Sequence, residues 1–180
     1  MEAMASKPPN ASLTRLLTSG IDVMTQMPYV SELLKRVVPS FSLSMIRVDA
    51  SCAPQQHYSE FFDDASHSLF AESGHLFAAA SDDPSAFGNL LRAPVPYGNL
   101  VRGGAAYEQG ATYQHLFQRN GIHHCLDVAL RDRSGPLGIL GIFREKRAPA
   151  FTRSDVAAIA ELYPALVHAA RAAEVPANFD

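Results

Sequence analysis

The group His123-His124-Cys125 brings together side chains whose types could serve nucleophilic or metal chemistry. It lies in the stretch GIHHCLDVAL, whose apolar residues recur at every second position, and this period predicts a β-strand. Neighbouring side chains of a strand point to opposite faces of the sheet. His124 is therefore poorly placed to activate the Cys125 thiol, and His123 and His124 are poorly placed to bind one ion together. We predict that Cys125 packs in the core.

No other part of the sequence supplies a catalytic or metal-binding motif. His67 and His75 have no carboxylate or cysteine at the spacing that a zinc site uses. The HExxH motif of zinc proteases and the GxSxG motif of serine hydrolases are both absent. The sequence therefore predicts no catalytic residue, no metal site and no cofactor, and we expect that the protein is not an enzyme.

Composition restricts the class of protein. The chain has 180 residues, of which 47% are hydrophobic and 18% charged, and this suits one globular domain with a buried core. The net charge of -3 gives no overall attraction to nucleic acid. The two cysteines, Cys52 and Cys125, make no disulfide framework, which favours a reducing cytoplasm. Because no signal peptide and no apolar run of about 20 residues is present, we expect a soluble, cytoplasmic protein that does not enter a membrane.

A β-hairpin is predicted from Gly121 to Glu145, and the helices and loops before and after it must position its side chains. In the first strand, Leu126, Val128 and Leu130 share one face, while His123, Cys125 and Asp127 share the other. Residues 131–136 are predicted to form the turn. Residues 137–143 form a second strand that is apolar on both faces, as in a strand covered on both sides. The glycines at positions 138 and 141 indicate either a bulge or a close approach of another group.

Helical spacing is present near both ends of the chain. Ser12 is predicted to cap a helix that continues to Met24, and a second helix is predicted to start near Pro28 and to stop at Pro39. A strand is predicted over 41–48. Thr152 and Asp155 resemble a capping box at the start of the last helix. The apolar seam of that helix can pack on the sheet or on a second copy of itself.

The middle of the chain has a weaker pattern. We predict loop over 50–56, an aromatic-rich helical region over 58–80, a short helix that ends near Leu91, and loop over 93–110. A further helix is predicted over 108–119, closed by Asn120-Gly121. Together these elements predict an α+β fold with a central antiparallel sheet flanked by the N- and C-terminal helices.

Three stretches resemble the sensory domain of LuxR-type bacterial transcription regulators, which has a GAF-like fold related to PAS domains. YQHLFQRNGIHHCLDVAL resembles that family's helix, Asn-Gly step and alternating strand. GPLGILGIFRE resembles its second strand, which ends in an arginine, and PAFTRSDVAAIAELYPALVHAAR resembles its capped last helix. The resemblance runs from about residue 94 to residue 172, and the first half of the chain matches only in outline.

The resemblance implies a signal-input domain that senses an unidentified small-molecule effector and forms a homodimer through its N- and C-terminal helices. With this resemblance we expect one GAF-like sensory domain over 11–172, and the lack of a regular pattern at either end predicts a disordered leader over 1–10 and a flexible tail over 173–180. In the family a helix-turn-helix follows the last helix, whereas this sequence stops there. DNA binding by this chain alone is therefore not implied.

GAF-like domains hold small molecules between the sheet and the helices and loops on one face, and this implies a set of ligand-binding candidates. Any one aromatic residue is more often a core residue than a ligand contact. An aromatic-rich region that faces a glycine-bearing strand is nevertheless what a pocket needs. The candidates are Tyr58, Phe61, Phe62, Phe70, Phe77, Tyr97, Tyr113, Phe117, His124 and Phe143.

Two other functions remain open from the sequence. The first is a small enzyme of GAF-like fold with Cys125 or Cys52 as a redox or nucleophilic centre. A working cysteine of this kind titrates well below the ordinary thiol pKa of about 8.5. The second is a protein-interaction module whose core is filled and which has no pocket.

Overall fold

The computed structural model describes residues 9–60, 86–100 and 105–172, and a five-stranded sheet lies at its centre. The strands are β1 (Ser42–Val48), β2 (Pro54–Ser59), β3 (Tyr97–Leu100), β4 (His124–Asp132) and β5 (Gly135–Arg144). Their spatial order is β2-β1-β5-β4-β3, and every neighbouring pair is antiparallel. The predicted hairpin therefore supplies two of the three inner strands.

Helices cover both faces of the sheet. They are α1 (Pro9–Leu17), α2 (Val23–Val37), α3 (Phe87–Arg92), α4 (Ala105–Glu108) and α5 (Arg153–Ala172). A π-helical turn, Tyr113–Phe117, continues into a 3₁₀ turn, Gln118–Asn120, and these two replace part of the helix predicted over 108–119. The predicted α+β class with an antiparallel sheet between helices is confirmed.

Alternation along the strands divides the core into two clusters, one on each face. Leu126, Val128 and Leu130 pack with α1, α2 and α5 on the face that we call the helix face. Cys125 and Ala129, from the same strand, pack with α3 and the π-helical turn on the other face, which we call the cavity face. The predicted division of β4 side chains is confirmed.

The hairpin is longer than its sequence pattern indicates. Asp132 pairs with Gly135, so only residues 133 and 134 form the turn. The Asp132 carboxylate accepts hydrogen bonds from the Ser134 backbone N–H at 2.7 Å and from the Ser134 hydroxyl at 2.5 Å. The prediction of a turn over 131–136 was wrong because backbone pairing continues through polar residues that have no apolar alternation.

The N-terminal helices differ from the prediction in their boundaries. Ser12 lies inside α1, and α1 ends at Leu17, well before Met24. Asp22 begins α2 as its cap, because its carboxylate accepts hydrogen bonds from the backbone N–H and the hydroxyl of Thr25 at 3.2 and 3.0 Å. Pro28 therefore lies within α2 and not near its start.

Two strands lie where loops were predicted. β2 is a polar edge strand with the sequence PQQHYS, and β3 has only four residues, so neither has the apolar alternation that identifies a strand. The two segments form strands because their backbones pair with β1 and β4, and the local sequence does not indicate this pairing. The helical prediction for 58–80 was wrong at residues 58 and 59, which belong to β2, and beyond residue 60 it falls outside the described residues.

The Arg144 guanidinium, at the end of β5, ties the sheet to α5. Its Nε donates to the Pro39 carbonyl at 2.7 Å, and its Nη1 donates to the carbonyls of residues 149 and 150, each at 3.2 Å. Its Nη2 bonds to the Asp155 carboxylate at 3.0 Å. The guanidinium also lies 4.1 Å from the centre of the Phe151 ring. Only 7% of Arg144 is exposed, so this charge is held almost entirely by protein groups.

The predicted capping box at the start of α5 is confirmed. The Asp155 backbone N–H donates to the Thr152 hydroxyl at 3.3 Å, and the Asp155 carboxylate accepts from the Thr152 backbone N–H at 2.6 Å. Burial alone would raise the pKa of Asp155. The hydrogen bonds from Thr152 and the charge of Arg144 outweigh that effect and hold the pKa below its ordinary value.

Replacement of Arg144 tests how much this set of contacts stabilises the fold. Arg144→Gln is expected to lower the free energy of unfolding by about 3–5 kcal/mol, since it leaves the Asp155 carboxylate without its partner. Arg144→Lys keeps the charge but loses the fork of donors, so an intermediate loss is expected. The measurement is urea denaturation. The control is Arg133→Gln at the exposed hairpin turn, with an expected change within about 0.5 kcal/mol; equal midpoints for the two glutamine variants would contradict the assignment.

Candidate functional site

A small enclosed cavity lies on the cavity face, between the sheet and the helical segments α3 and Tyr113–Phe117. Its volume is about 30 Å³. Strands β1, β2, β4 and β5 form its floor, and α3 and the π-helical turn form its roof. The lining residues are Ser44, Ile46, Tyr58, Phe87, Leu90, Leu116, Phe117, Asp127, Gly141 and Phe143.

Two polar side chains lie at the floor of this cavity, on the strands either side of β5. Ser44 of β1 and Asp127 of β4 are both register partners of Gly141, which lies between them on β5. Cross-strand partners project from the same face of a sheet. The Ser44 hydroxyl and the Asp127 carboxylate therefore flank a position that has no side chain.

Gly141 is required there because the Phe143 ring lies across its strand. A Cβ placed on Gly141 would lie 3.0 Å from the Ser44 Oγ and would collide with the tip of the Phe143 ring. A Cβ on Gly138 would lie 2.5 Å from the Ile46 carbonyl oxygen. Both strand glycines thus mark a close approach, as the sequence predicted.

Aromatic rings occupy most of the space above this floor. The centres of the Phe143 and Phe117 rings are 5.5 Å apart, and both residues are buried. The remaining volume is about what one water molecule takes up in the liquid, whereas pockets for small molecules usually measure about 300–1,000 Å³. The Phe143 ring lies close above Gly141 and limits this volume.

The predicted ligand-binding residues are spread over both faces of the sheet. Phe117 and Phe143 line the cavity directly. Tyr58 borders the cavity at the sheet edge, but its side chain packs on the helix face, where its pKa is raised by burial and by the charge of Glu60. Tyr113 lies on the cavity face without lining the cavity, and its hydroxyl is 3.2 Å from the Nδ1 atom of His123.

Two further candidates lie on the helix face, away from the cavity. The Tyr97 ring packs against the Tyr163 ring of α5, with centres 5.0 Å apart. His124 is the register partner of Arg144 and alternates with Cys125, so it projects from the helix face. The remaining four candidates, Phe61, Phe62, Phe70 and Phe77, lie outside the described residues, and their role stays a prediction.

Sequence reasoning did not select the polar residues of the cavity floor. Asp127 had been placed with Cys125 on the face opposite Leu126, and that position was the available signal. A carboxylate among buried neighbours in an inner strand is uncommon unless it has hydrogen-bond donors. Ser44 gave no comparable signal, because its pairing with β5 cannot be read from the local sequence.

Cys125 lies in an environment that suppresses thiol chemistry. It is fully buried, and its Sγ lies 3.1 Å from the Tyr107 hydroxyl. Burial raises the pKa of the Cys125 thiol well above its ordinary value, and the nearby Asp127 charge acts in the same direction. The predicted packing role of Cys125 agrees with this environment.

The two histidines are closer together than a regular strand would place them. The centres of the His123 and His124 rings are 4.7 Å apart, because His123 precedes β4 and is not held by its alternation. Burial, followed by the neighbouring His124, lowers the pKa of His123. Within residues 9–60, 86–100 and 105–172, no three histidine, cysteine or acidic side chains are grouped as a metal site would require.

A larger groove of about 740 Å³ lies on the surface beside Arg144, between the end of α2 and the start of α5. Phe41 and Pro149 contribute to its apolar lining. All three guanidinium nitrogens of Arg144 are already bonded to protein acceptors, so the strongest polar group of this groove serves the fold. We therefore place the candidate site in the enclosed cavity.

Comparisons with known proteins identify the fold. No protein-family model matches the sequence, and no curated protein matches it. Among solved structures, SdiA from Escherichia coli is similar, with a TM-score of 0.59 and 14% identity over 92% of this chain and 65% of SdiA. The chain thus spans about two thirds of SdiA.

Two further structures extend the comparison. The N-acylhomoserine lactone dependent LuxR family transcription factor CepR2 from Burkholderia cenocepacia is similar, with a TM-score of 0.57 and 13% identity over 93% of this chain and 92% of CepR2. The GAF domain/HD domain protein from Geobacter sulfurreducens has a TM-score of 0.50 and 18% identity over 89% of this chain and 97% of that one.

These comparisons assign the chain to the GAF-like fold class. The predicted resemblance to the sensory domains of LuxR-type regulators is confirmed at the level of the fold, since identities this low carry no more than that. Among the described helices, none combines the length and the apolar character needed to cross a membrane.

Thiol titration tests the environment of Cys125. In a Cys52→Ala variant the remaining thiol is expected to stay unreactive toward a disulfide reagent in the native protein up to about pH 9, since burial disfavours the thiolate. Urea should expose it and allow stoichiometric reaction. Rapid native reaction with an apparent pKa below about 8.5 would instead support the enzyme hypothesis.

Substitution of Gly141 tests the placement of the Phe143 ring. Gly141→Ala is expected to lower the free energy of unfolding by about 1–3 kcal/mol, because the added methyl group collides with the ring and the Ser44 hydroxyl. In a Phe143→Leu background the same change should cost less, since the shorter side chain leaves room. A double-mutant cycle by urea denaturation measures the coupling, and strictly additive costs would show that the ring does not occupy this place.

Proposed function

We propose that this chain is a small-molecule-sensing and dimerisation domain that supplies the signal input of a bacterial transcription regulator and has no catalytic activity. The observation that carries this proposal is the enclosed cavity with its polar floor and aromatic walls. Ligand sites are typically concave and apolar, with a few polar groups that fix orientation. Asp127 and Ser44 supply such groups here.

The fold supports a sensory role without specifying the ligand. CepR2, which shares this fold, is an N-acylhomoserine lactone dependent transcription factor. A further protein of similar fold, JSC1_58120g3, binds biliverdin, with a TM-score of 0.53 and 11% identity over 93% of this chain and all of that one. Since an acylated lactone and a tetrapyrrole share little chemistry, the fold accommodates unrelated ligands, and the effector of this chain must be found from its own cavity.

A ligand enters this cavity only when the Phe143 ring moves. The cavity is too small for an organic molecule, and the Phe143 and Phe117 rings form part of its wall. Phe143 precedes Arg144, which holds the start of α5 through Asp155. Displacement of the Phe143 ring would therefore shift the backbone beside Arg144, whose contact with Asp155 positions α5. This adjacency makes ligand occupancy detectable at the helix face.

Catalysis is not supported by the groups that the cavity face contains. The raised pKa of Cys125 keeps its thiol protonated at neutral pH, and His124 projects from the opposite face. Among the described residues, neither a thiolate nor a histidine that could activate the Cys125 thiol therefore lies beside the cavity. A sensing role requires only binding, which these residues can provide.

Dimerisation through the N- and C-terminal helices completes the proposal. Tyr29 of α2 is 70% exposed, and Ile21, immediately before α2, is 54% exposed. Val156 and Tyr163 of α5 are only partly buried. Exposed apolar side chains on helices that already pack together are suited to a second copy of the same helices.

The proposal is tested by identifying what the protein holds. Protein purified from a bacterial host is expected to release a stoichiometric small molecule on denaturation, detected by mass spectrometry, while size exclusion with light scattering gives the mass of a dimer. Ser44→Phe, whose ring would fill the floor, should fold by circular dichroism yet release none. If the wild-type protein carries no compound and bacterial extracts do not raise its melting temperature, sensing fails and an interaction module remains.

A further inference from the structure

We infer that the surface groove beside Arg144 is a docking site for a short peptide segment of a partner protein, and that this segment combines apolar with acidic side chains. We call this surface the docking groove. It lies between the end of α2 and the start of α5 and measures about 740 Å³. This docking role goes beyond the proposed sensing function and does not depend on the enclosed cavity.

The docking groove is open to solvent and is lined largely by apolar side chains. Most of its lining residues are exposed. A small molecule usually has about 70–90% of its surface buried in its site, which an open groove does not provide. A peptide segment that lies along the groove can leave one side in water. The apolar lining residues are Val37, Pro39, Phe41, Ala148, Pro149 and Ala150.

Phe41 supplies a preformed anchor point in the docking groove. It immediately precedes β1, and 39% of it is exposed. Its backbone N–H donates to the Phe143 carbonyl at 3.0 Å, so the ring is carried by backbone that is fixed to the inner sheet. Aromatic residues are enriched at the buried centre of protein interfaces, and a fixed anchor loses little conformational entropy on binding. Contact with an apolar partner residue is therefore favourable here.

Three exposed arginines lie on the segments that form the docking groove. Arg36 lies in the last turn of α2, Arg147 in the segment after β5, and Arg153 at the start of α5. Each is the sequence neighbour of a residue that lines the groove. The macrodipole of a helix disfavours a positive charge at its N-terminus. The charge of Arg153 therefore does not stabilise α5 and is available for recognition.

The charge around the docking groove is opposite in sign to that of the whole chain. The chain has a net charge of -3, whereas the three arginines accompany one exposed acidic residue of the lining, Glu145. The other acidic residue of the lining, Asp155, is paired with Arg144. Complementary charges speed association and select between partners. A positive rim beside an apolar lining therefore favours a segment in which acidic residues flank apolar ones.

The docking groove lies at a distance from one end of the surface proposed for dimerisation. α2 has 15 residues, so its two ends are about 22 Å apart. Ile21 immediately precedes this helix, whereas Val37, its last residue, lines the groove. A segment that occupies the groove therefore does not compete with contacts made at Ile21.

A peptide library tests the docking groove with a defined probe. Random 12-residue peptides displayed on phage are selected on the full chain and counter-selected on the Phe41→Ser variant, so that only peptides that need the groove are kept. If Phe41→Ser does not fold by circular dichroism, Ala150→Gln, which adds a long side chain to the groove lining, replaces it. Enriched peptides are synthesised with a fluorescent label and titrated by fluorescence anisotropy.

The enriched peptides are expected to combine Asp or Glu with Leu, Ile or Phe. Joint replacement of Arg36, Arg147 and Arg153 by glutamate should weaken their binding at least about tenfold, and binding to the wild-type chain should weaken as salt rises. Two matched controls should change the affinity by less than about twofold, because exposed residues outside an interface contribute little to binding. They are Arg133→Glu at the hairpin turn and Val95→Ser, whose side chain is 59% exposed before β3.

Three results would overturn this docking role. The first is that no peptide survives the counter-selection. The second is that the surviving peptides are neutral or basic, or bind the triple glutamate variant as tightly as the wild-type chain. The third is that Phe41→Ser changes the mass of the protein in light scattering from dimer to monomer while no peptide is enriched, which would assign the groove to a second copy of this chain.

Discussion

The arrangement of sheet and helices depends on the buried guanidinium of Arg144. It reaches carbonyl groups on two separate segments, the carboxylate of Asp155 and the face of the Phe151 ring. A permanent charge can be buried only where acceptors surround it, because an unpaired one costs several kcal/mol. The segment before β1, the turn after β5 and the start of α5 therefore meet in one arrangement. The capping box at Thr152 continues the same network into the first turn of α5.

Consecutive residues of β5 connect the two faces of the sheet. Phe143 fills the cavity face, and Arg144 holds the helix face, since neighbouring side chains of a strand alternate. Gly141 completes this arrangement, because its missing side chain lets the Phe143 ring lie over the strand. The candidate site and the helices proposed for dimerisation are thus built on one strand, and a backbone shift at Phe143 is also a shift at Arg144.

Local patterns in the sequence were sufficient for some elements and insufficient for others. The alternation of β4 and the capping box at Thr152 were predicted correctly, because both are properties of neighbouring residues. The strands β2 and β3 were missed, since one is polar and the other has only four residues, and their pairing with β1 and β4 is not visible in the local pattern. Without β3 the face of Tyr97 could not be assigned. The cavity floor was missed for the same reason: only the register of β5 places Ser44 and Asp127 on either side of Gly141.

The pairing of β1 with β5 also sets the order in which the chain can fold. Arg144 bonds to the Pro39 carbonyl across 105 positions of the sequence, and β1 pairs with β5 over a comparable separation. The β4–β5 hairpin forms locally, whereas this central pairing must close a long loop, and topologies rich in such contacts fold slowly. During synthesis, β1 therefore leaves the ribosome long before its inner partner exists. Its Leu43, Met45 and Ile46 side chains, which are buried in the folded protein, stay exposed until β5 has been synthesised. The nascent chain therefore presents an apolar, unpaired strand edge during this time.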